Sequence, residues 1–312
     1  MSLKIKDLGQ LDQGVKTVLR KECDHLLATL EEGTETTVHT TVHEVRKRCK
    51  KIRGILRLVR NSLGDYHAEN HFFRDEARKL SDLRDTTALI EALDICYAQY
   101  GDKLYKNAFT NLRESLLHYR EDRLAQFFSQ KDILKEIKRN IKAKRDGIHA
   151  MNLQIEDYSD VAPNLKRVYE RGRNAYKAAR ESKRPEDFHE WRKRVKYLRY
   201  QLRALQAAWP GIFVPWEDEL HALSDLLGTD RDLFMLQHHL FQHPKENLQE
   251  TMYLAADLIK GQRNQLQQHA LLRGARLYEL KPKAFVMLIL TSIKGFLELQ
   301  QPRVWPKSHL ES

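Results

Sequence analysis

Proline and glycine are both scarce in this chain, at 8 and 13 of 312 residues, below the usage of an average globular protein. So few breakers, with no alternating strand pattern, exclude a turn-rich β architecture and leave long helices. Cysteine is nearly absent. Cys23, Cys49 and Cys96 lie far apart without a CxxC pair, so they read as small buried thiols in a reducing compartment. Long apolar runs are missing too. The most apolar stretch, Ala284 to Ile293, is flanked by Lys283 and Lys294 and is too short to span a bilayer, so it reads as a buried helix and no membrane partner is expected. The opening MSLKIKDLGQ has no apolar core of a secretory signal, and a cytoplasmic location is expected.

Signatures of catalysis are also missing. There is no P-loop, no glycine-rich nucleotide fingerprint, no GxSxG, and no carboxylate cluster to hold Mg²⁺ against phosphate. No enzyme activity, cofactor or metal is therefore expected. His67 and His71, at i,i+4, have no HExxH context or cysteine partners and read as a surface pair.

What the chain has is positive charge and helix-forming composition. It carries 54 Lys+Arg against 43 Asp+Glu, a net charge of +11, with 41% apolar residues. A sizeable core and a polyanionic partner follow, but composition does not say which polyanion.

The chain also repeats itself. The segment from His43 to Arg57, HEVRKRCKKIRGILR, returns from His189 to Arg203 as HEWRKRVKYLRYQLR. Downstream, Leu80-Ser-Asp-Leu-Arg84-Asp85 matches Leu227-Gly-Thr-Asp-Arg231-Asp232. Two patches in the same order at nearly the same spacing indicate duplicated halves: residues 1–147, a linker at 148–163, and residues 164–312. The spacing predicts helices over about 10–32, 36–61, 66–99, 103–128 and 131–146, then 163–182, 185–208, 213–242, 245–273 and 281–301. The fold class is all-α, two pseudosymmetric antiparallel four-helix-type bundles sharing a basic central groove or pore.

On a helical wheel, His43, Lys47, Lys50 and Arg57 share one line, with Arg46 and Arg53 on its shoulder. Val45, Cys49, Ile52, Leu56 and Val59 lie opposite. In the second repeat His189, Lys193, Lys196 and Arg203 share a line flanked by Arg192 and Arg199, opposite Trp191, Val195, Leu198 and Leu202. An ordinary solvated face mixes signs at i,i+4. These stripes do not; Glu44 and Glu190 read as first-turn residues suited to the helix dipole. From His43 to Arg57 the helix rises ~21 Å, a length that suits successive phosphates held by arginine forks and lysine charges.

The duplicated H-x-x-R-[KR]-x-x-K-x-x-R pattern with its downstream R-D helix resembles the CHAD (conserved histidine α-helical domain) family, over roughly residues 10 to 300. The resemblance implies two pseudosymmetric bundles around a basic pore that binds inorganic polyphosphate, often on polyphosphate granules. The motif positions are His43, Arg46, Lys47, Lys50, Arg53, Arg57, His189, Arg192, Lys193, Lys196, Arg199 and Arg203. Arg84 and Arg231 match the downstream motif, with Asp85 and Asp232 orienting neighbouring cations. The triphosphate-tunnel domain fused to some members has no counterpart here, so the chain is similar to the stand-alone form.

Nucleic acid is the alternative partner, but the stripes have no interleaved aromatics for base stacking. A metal-dependent phosphohydrolase using His43 and His189 is a third possibility, disfavoured by the missing carboxylates. Beside cations the two histidines read as phosphate donors. A polyanion would raise their pKa values, and affinity would fall as pH rises through them. Arg74, Arg78, Lys135, Lys138, Arg139, Lys142, Arg167, Arg171, Arg173 and Lys177 read as solvated helix faces.

Overall fold

The computed structural model describes residues 3–33, 37–101, 106–129, 132–242 and 249–300, and among these it is all-α. The first half supplies α1 (Leu11–Glu32), α2 (Val38–Leu58), α3 (Tyr66–Arg78), α4 (Ser81–Tyr100), α5 (Lys106–Ser129) and α6 (Ile133–Gly147). The second supplies α7 (Ala162–Ser182), α8 (Pro185–Leu205), α9 (Pro210–Gln242), α10 (Gln249–Leu277) and α11 (Pro282–Gln300).

The single helix expected over 66–99 is in fact α3 and α4. No Pro or Gly lies between Arg78 and Ser81 to announce the break. Its support is tertiary: the Arg46 guanidinium of α2 donates to the Ala77 carbonyl at 2.8 Å and to Ser81 Oγ at 2.6 Å. That contact satisfies a carbonyl freed at the end of α3 and fixes the start of α4. The matching stretch of α9 is unbroken.

The apolar stripes bury as their spacing requires. Val45, Cys49, Ile52, Leu56 and Val59 on the α2 side, and Trp191, Val195, Leu198 and Leu202 on α8, have zero exposure. Each such residue contributes ~1.5–3 kcal/mol, against ~0.2–0.5 kcal/mol of repulsion per like-charged i,i+4 pair. The anchoring face therefore outweighs local repulsion on the basic one.

Apolar packing does not divide at the expected boundary between the halves. The larger buried cluster joins α1–α3, α6–α8, the first part of α9, the end of α10 and α11. The smaller joins the later parts of α4 and α9 with α5 and the start of α10. Both clusters draw on both halves. The stretch 148–163 is likewise packed rather than loose: Ile148, Leu153 and Val161 are buried. Gly64 N donates to Asn152 O at 3.3 Å and Gln154 N to Ser62 O at 2.8 Å, tying this stretch to the α2–α3 turn.

The apolar run at Ala284–Ile293 lies within α11, with Phe285, Val286, Ile289 and Ile293 buried. Among the described residues no helix is long and apolar enough to cross a membrane.

Candidate anion-binding site

The site begins where α2 meets α8. Gly54 of α2 lies against Tyr200 of α8, the residue at its matching place in the repeat. A Cβ on Gly54 would stand 2.8 Å from Tyr200 Cβ and 2.9 Å from its ring. The missing side chain is what allows the two basic helices to touch.

One turn before this crossing, Lys50 and Lys196 enter each other's field. Lys50 is lowered to about 8, by burial first and then by the cations of Arg46, Arg192 and Arg84. Lys196 lies well below the usual lysine value, again through burial first, then through Arg192 and Lys50. Five cations from α2, α4 and α8 thus converge.

The opposing carboxylates come from the downstream motif. Asp85 feels Arg46, Lys50 and Arg231. Asp232 feels Arg192, Arg84 and Lys196, and burial pushes its carboxyl above the ordinary range. Each aspartate is therefore within reach of the arginine of the other motif copy, because α4 packs against α9. Donor capacity is left over. Arg46 Nε, Arg192 Nε and Arg84 Nη1 are buried without a protein partner among the described residues, and the unpartnered His189 Nδ1 lies buried as well. Buried donors of this kind are costly unless an acceptor arrives.

The two histidines stand beside these groups. Burial, then Arg84, lowers His43. Burial, then Arg231, Lys193 and Arg192, lowers His189 to about 4. Both rings are therefore neutral at pH 7 in the ligand-free protein.

Not all of the stripe faces this cluster. Arg53 Nε donates to Asn70 Oδ1 at 3.2 Å. Arg57 donates to the Arg53 carbonyl at 2.6 Å and stacks on Tyr197, 3.9 Å from the ring centroid. Arg199 pairs with the buried Glu217 at 2.6 Å, and Arg203 lies 3.9 Å from the same carboxylate. Arg84 also holds the exposed Glu91 at 2.7 Å, and Arg231 lies over Phe234.

The dipole reading of Glu44 and Glu190 needs correction. With α2 starting at Val38 and α8 at Pro185, both lie beyond the first turn. They act as side-chain partners: Glu44 bonds the exposed Lys47 at 2.9 Å, and Glu190 bonds Lys193 and Arg194.

Sequence reasoning passed over Glu22 and Glu217, the buried counter-ions that neighbouring helices supply. Glu22 of α1 takes Arg48 at 3.1 Å with Lys51 at 4.0 Å. The available hint was that Arg48 and Arg194 are themselves identical in the repeat. Several cations read as solvated faces have protein partners: Arg74 with Asp75, Lys135 with Asp132, Lys138 with Glu31, and Arg173 with the Tyr278 carbonyl. His67 lies against Arg60 and His71, and among the described residues no group of three or more His, Cys, Asp or Glu is placed to hold a metal.

The all-α body thus sets its two repeated basic helices in contact, with an arginine–aspartate helix packed on each. The chain belongs to the CHAD domain family, whose model matches residues 17–240. That span covers both basic helices and both R-D helices and ends near the close of α9. No curated protein matches the chain.

Proposed function

We propose that this protein binds inorganic polyphosphate, through a basic groove whose centre is the Lys50–Lys196 cluster, and that it is a binding protein rather than an enzyme. The observation carrying this reading is the convergence of Lys50, Lys196, Arg46, Arg192 and Arg84, deep enough to lower both lysines. Such an arrangement opposes folding in the absence of an anion, so an anion is its economical explanation. Buried unpartnered guanidinium nitrogens beside it supply directed donors for phosphate oxygens. Membership of the CHAD domain family is consistent with polyphosphate as the anion.

In this reading His43, Lys47, His189 and Lys193 extend the cluster outward. Arg84, tied to Glu91, and Arg231, over Phe234, roof it in the field of Asp232 and Asp85. Arg53, Arg199 and Arg203 mainly hold the two helices against α3 and α9. A line of phosphates, each charged, gains from every cation it passes, whereas the aligned cations offer no nucleophile or metal to cleave the chain. Association with polyphosphate granules would follow from the same affinity.

The test is binding of fluorescent long-chain polyphosphate, with DNA and RNA of equal charge as competitors. Tight binding that nucleic acid displaces poorly supports polyphosphate. Equal displacement by DNA or RNA overturns it in favour of nucleic acid.

A further inference from the structure

About two turns along α2 from Lys50, ~10 Å, a second group of cations gathers against α7. Arg57, Arg60, Arg167, Arg171 and Arg194 line a small cavity of about 30 Å³ together with Asn164. Asn164 is 1% exposed, yet its Nδ2 has no partner. Among the described residues Arg57, Arg60, Arg167 and Arg171 form no ion pair with a carboxylate. Glu190, the carboxylate that acts on Arg171, is shared by Arg194 and Lys193 on its own helix.

The first half shows what this arrangement lacks. There α1 packs on α2, and its buried Glu22 takes Arg48, the repeat partner of Arg194. In the second half α7 packs on α8 in the same way, but it brings Arg171 toward Arg194. Where one half carries its own carboxylate, the other adds a further cation and leaves an amide donor unanswered.

We propose that this cavity binds one tetrahedral oxyanion, a phosphate group, held by the arginine forks and the Asn164 amide, at a site distinct from the Lys50–Lys196 cluster. Its volume suits one or two water-sized groups, so it seats two oxygens of one phosphate, with the others at its mouth, and not a stretch of chain. Guanidinium forks match phosphate oxygens in pairs. The phosphate is either free or the end group of a longer molecule, and this site stands whether or not the central cluster selects polyphosphate.

The experiment titrates the full chain with orthophosphate and separately with tripolyphosphate, by calorimetry and thermal melting, against chloride at equal ionic strength. Arg171→Glu gives α7 a carboxylate toward Arg194, as Glu22 of α1 has toward Arg48; Asn164→Asp puts a near-isosteric charge in the cavity. Long-chain polyphosphate binding is read alongside on every variant, which separates failure here from failure of the central site. One phosphate per chain is expected in addition to any held by the central cluster, and this increment should weaken at least ~10-fold in both variants. Arg171→Glu should melt no lower than the parent in phosphate-free buffer. Equal affinity for both phosphates marks a free-phosphate site. Tighter tripolyphosphate binding, with the excess lost in Arg171→Glu, marks a chain end. A phosphate effect matched by chloride, or retained in both variants, overturns the proposal.

Discussion

Gly54 and Tyr200, matching residues of the two basic helices, lie so close that a methyl group on Gly54 would meet Tyr200 Cβ at 2.8 Å. Gly54→Val therefore forces α2 and α8 apart. Overpacking of this kind typically costs ~1–3 kcal/mol, only partly offset by a better helix former than glycine. A lower melting temperature together with weaker polyphosphate binding is expected in calorimetry and fluorescence titration. A variant as stable and as tight-binding as the parent would show that the close approach is unimportant.

Lys50 titrates near 8 in the folded protein, against an ordinary lysine value of 10.5, and Lys196 is shifted the same way. Between these values the unfolded chain holds a proton that the folded chain has released, so ligand-free stability rises with pH. The penalty is fully present below pH 8 and fades above it. From pH 7.5 to 9 the melting temperature should climb in the parent and flatten in Lys50→Met/Lys196→Met. That variant should also gain ~1–2 kcal/mol at pH 7 by losing buried cations. Buried thiols act oppositely at higher pH, since burial pushes Cys96 up to about 11 from 9.0, which is why the window ends at 9.

Affinity should run against stability over the same window. A polyanion restores the Lys50 proton, so binding weakens as that proton becomes harder to retain in the free protein. With a value of about 8, polyphosphate affinity should fall ~10-fold between pH 7 and 9. The decline expected from the histidines belongs at the acid end, because both rings begin neutral at pH 7. A titration flat above pH 7 would remove Lys50 from the site.

Glu217 is 4% exposed and holds Arg199 at 2.6 Å with Arg203 at 3.9 Å. Glu217→Ala leaves these cations uncompensated and should cost ~3–5 kcal/mol in denaturant unfolding. Polyphosphate binding by the folded fraction should be unchanged or tighter, since the arginines it frees are cationic. Weaker binding would mean that Arg199 and Arg203 need Glu217 to reach the ligand.

Helix content and the two basic faces were legible from periodicity alone, because buried positions such as Val45, Ile52, Trp191 and Val195 recur at helical spacing. The break after Arg78 was not, because its support is Arg46, a residue 31 positions upstream acting across space. The spent half of each stripe was hidden for the same reason. A helical wheel shows that Arg199 faces outward from its own helix but not that Glu217 on α9 is waiting for it. The Gly54–Tyr200 contact joins a position at which the two copies of the repeat differ, so identity between the copies gave no hint of it. The cavity at Arg171 escaped because its meaning lies in a difference between the halves, Glu22 against Arg171, outside the segment where they match.

The central claim rests on Lys50 and Lys196, and the most direct measurement is long-chain polyphosphate affinity of Lys50→Ala/Lys196→Ala at two salt concentrations. Melting curves alongside would establish that the variant is folded. Binding should weaken at least ~10-fold, with a shallower salt dependence because about two fewer phosphate charges are neutralised. A folded variant that binds as tightly as the parent, with the same salt slope, would contradict the account.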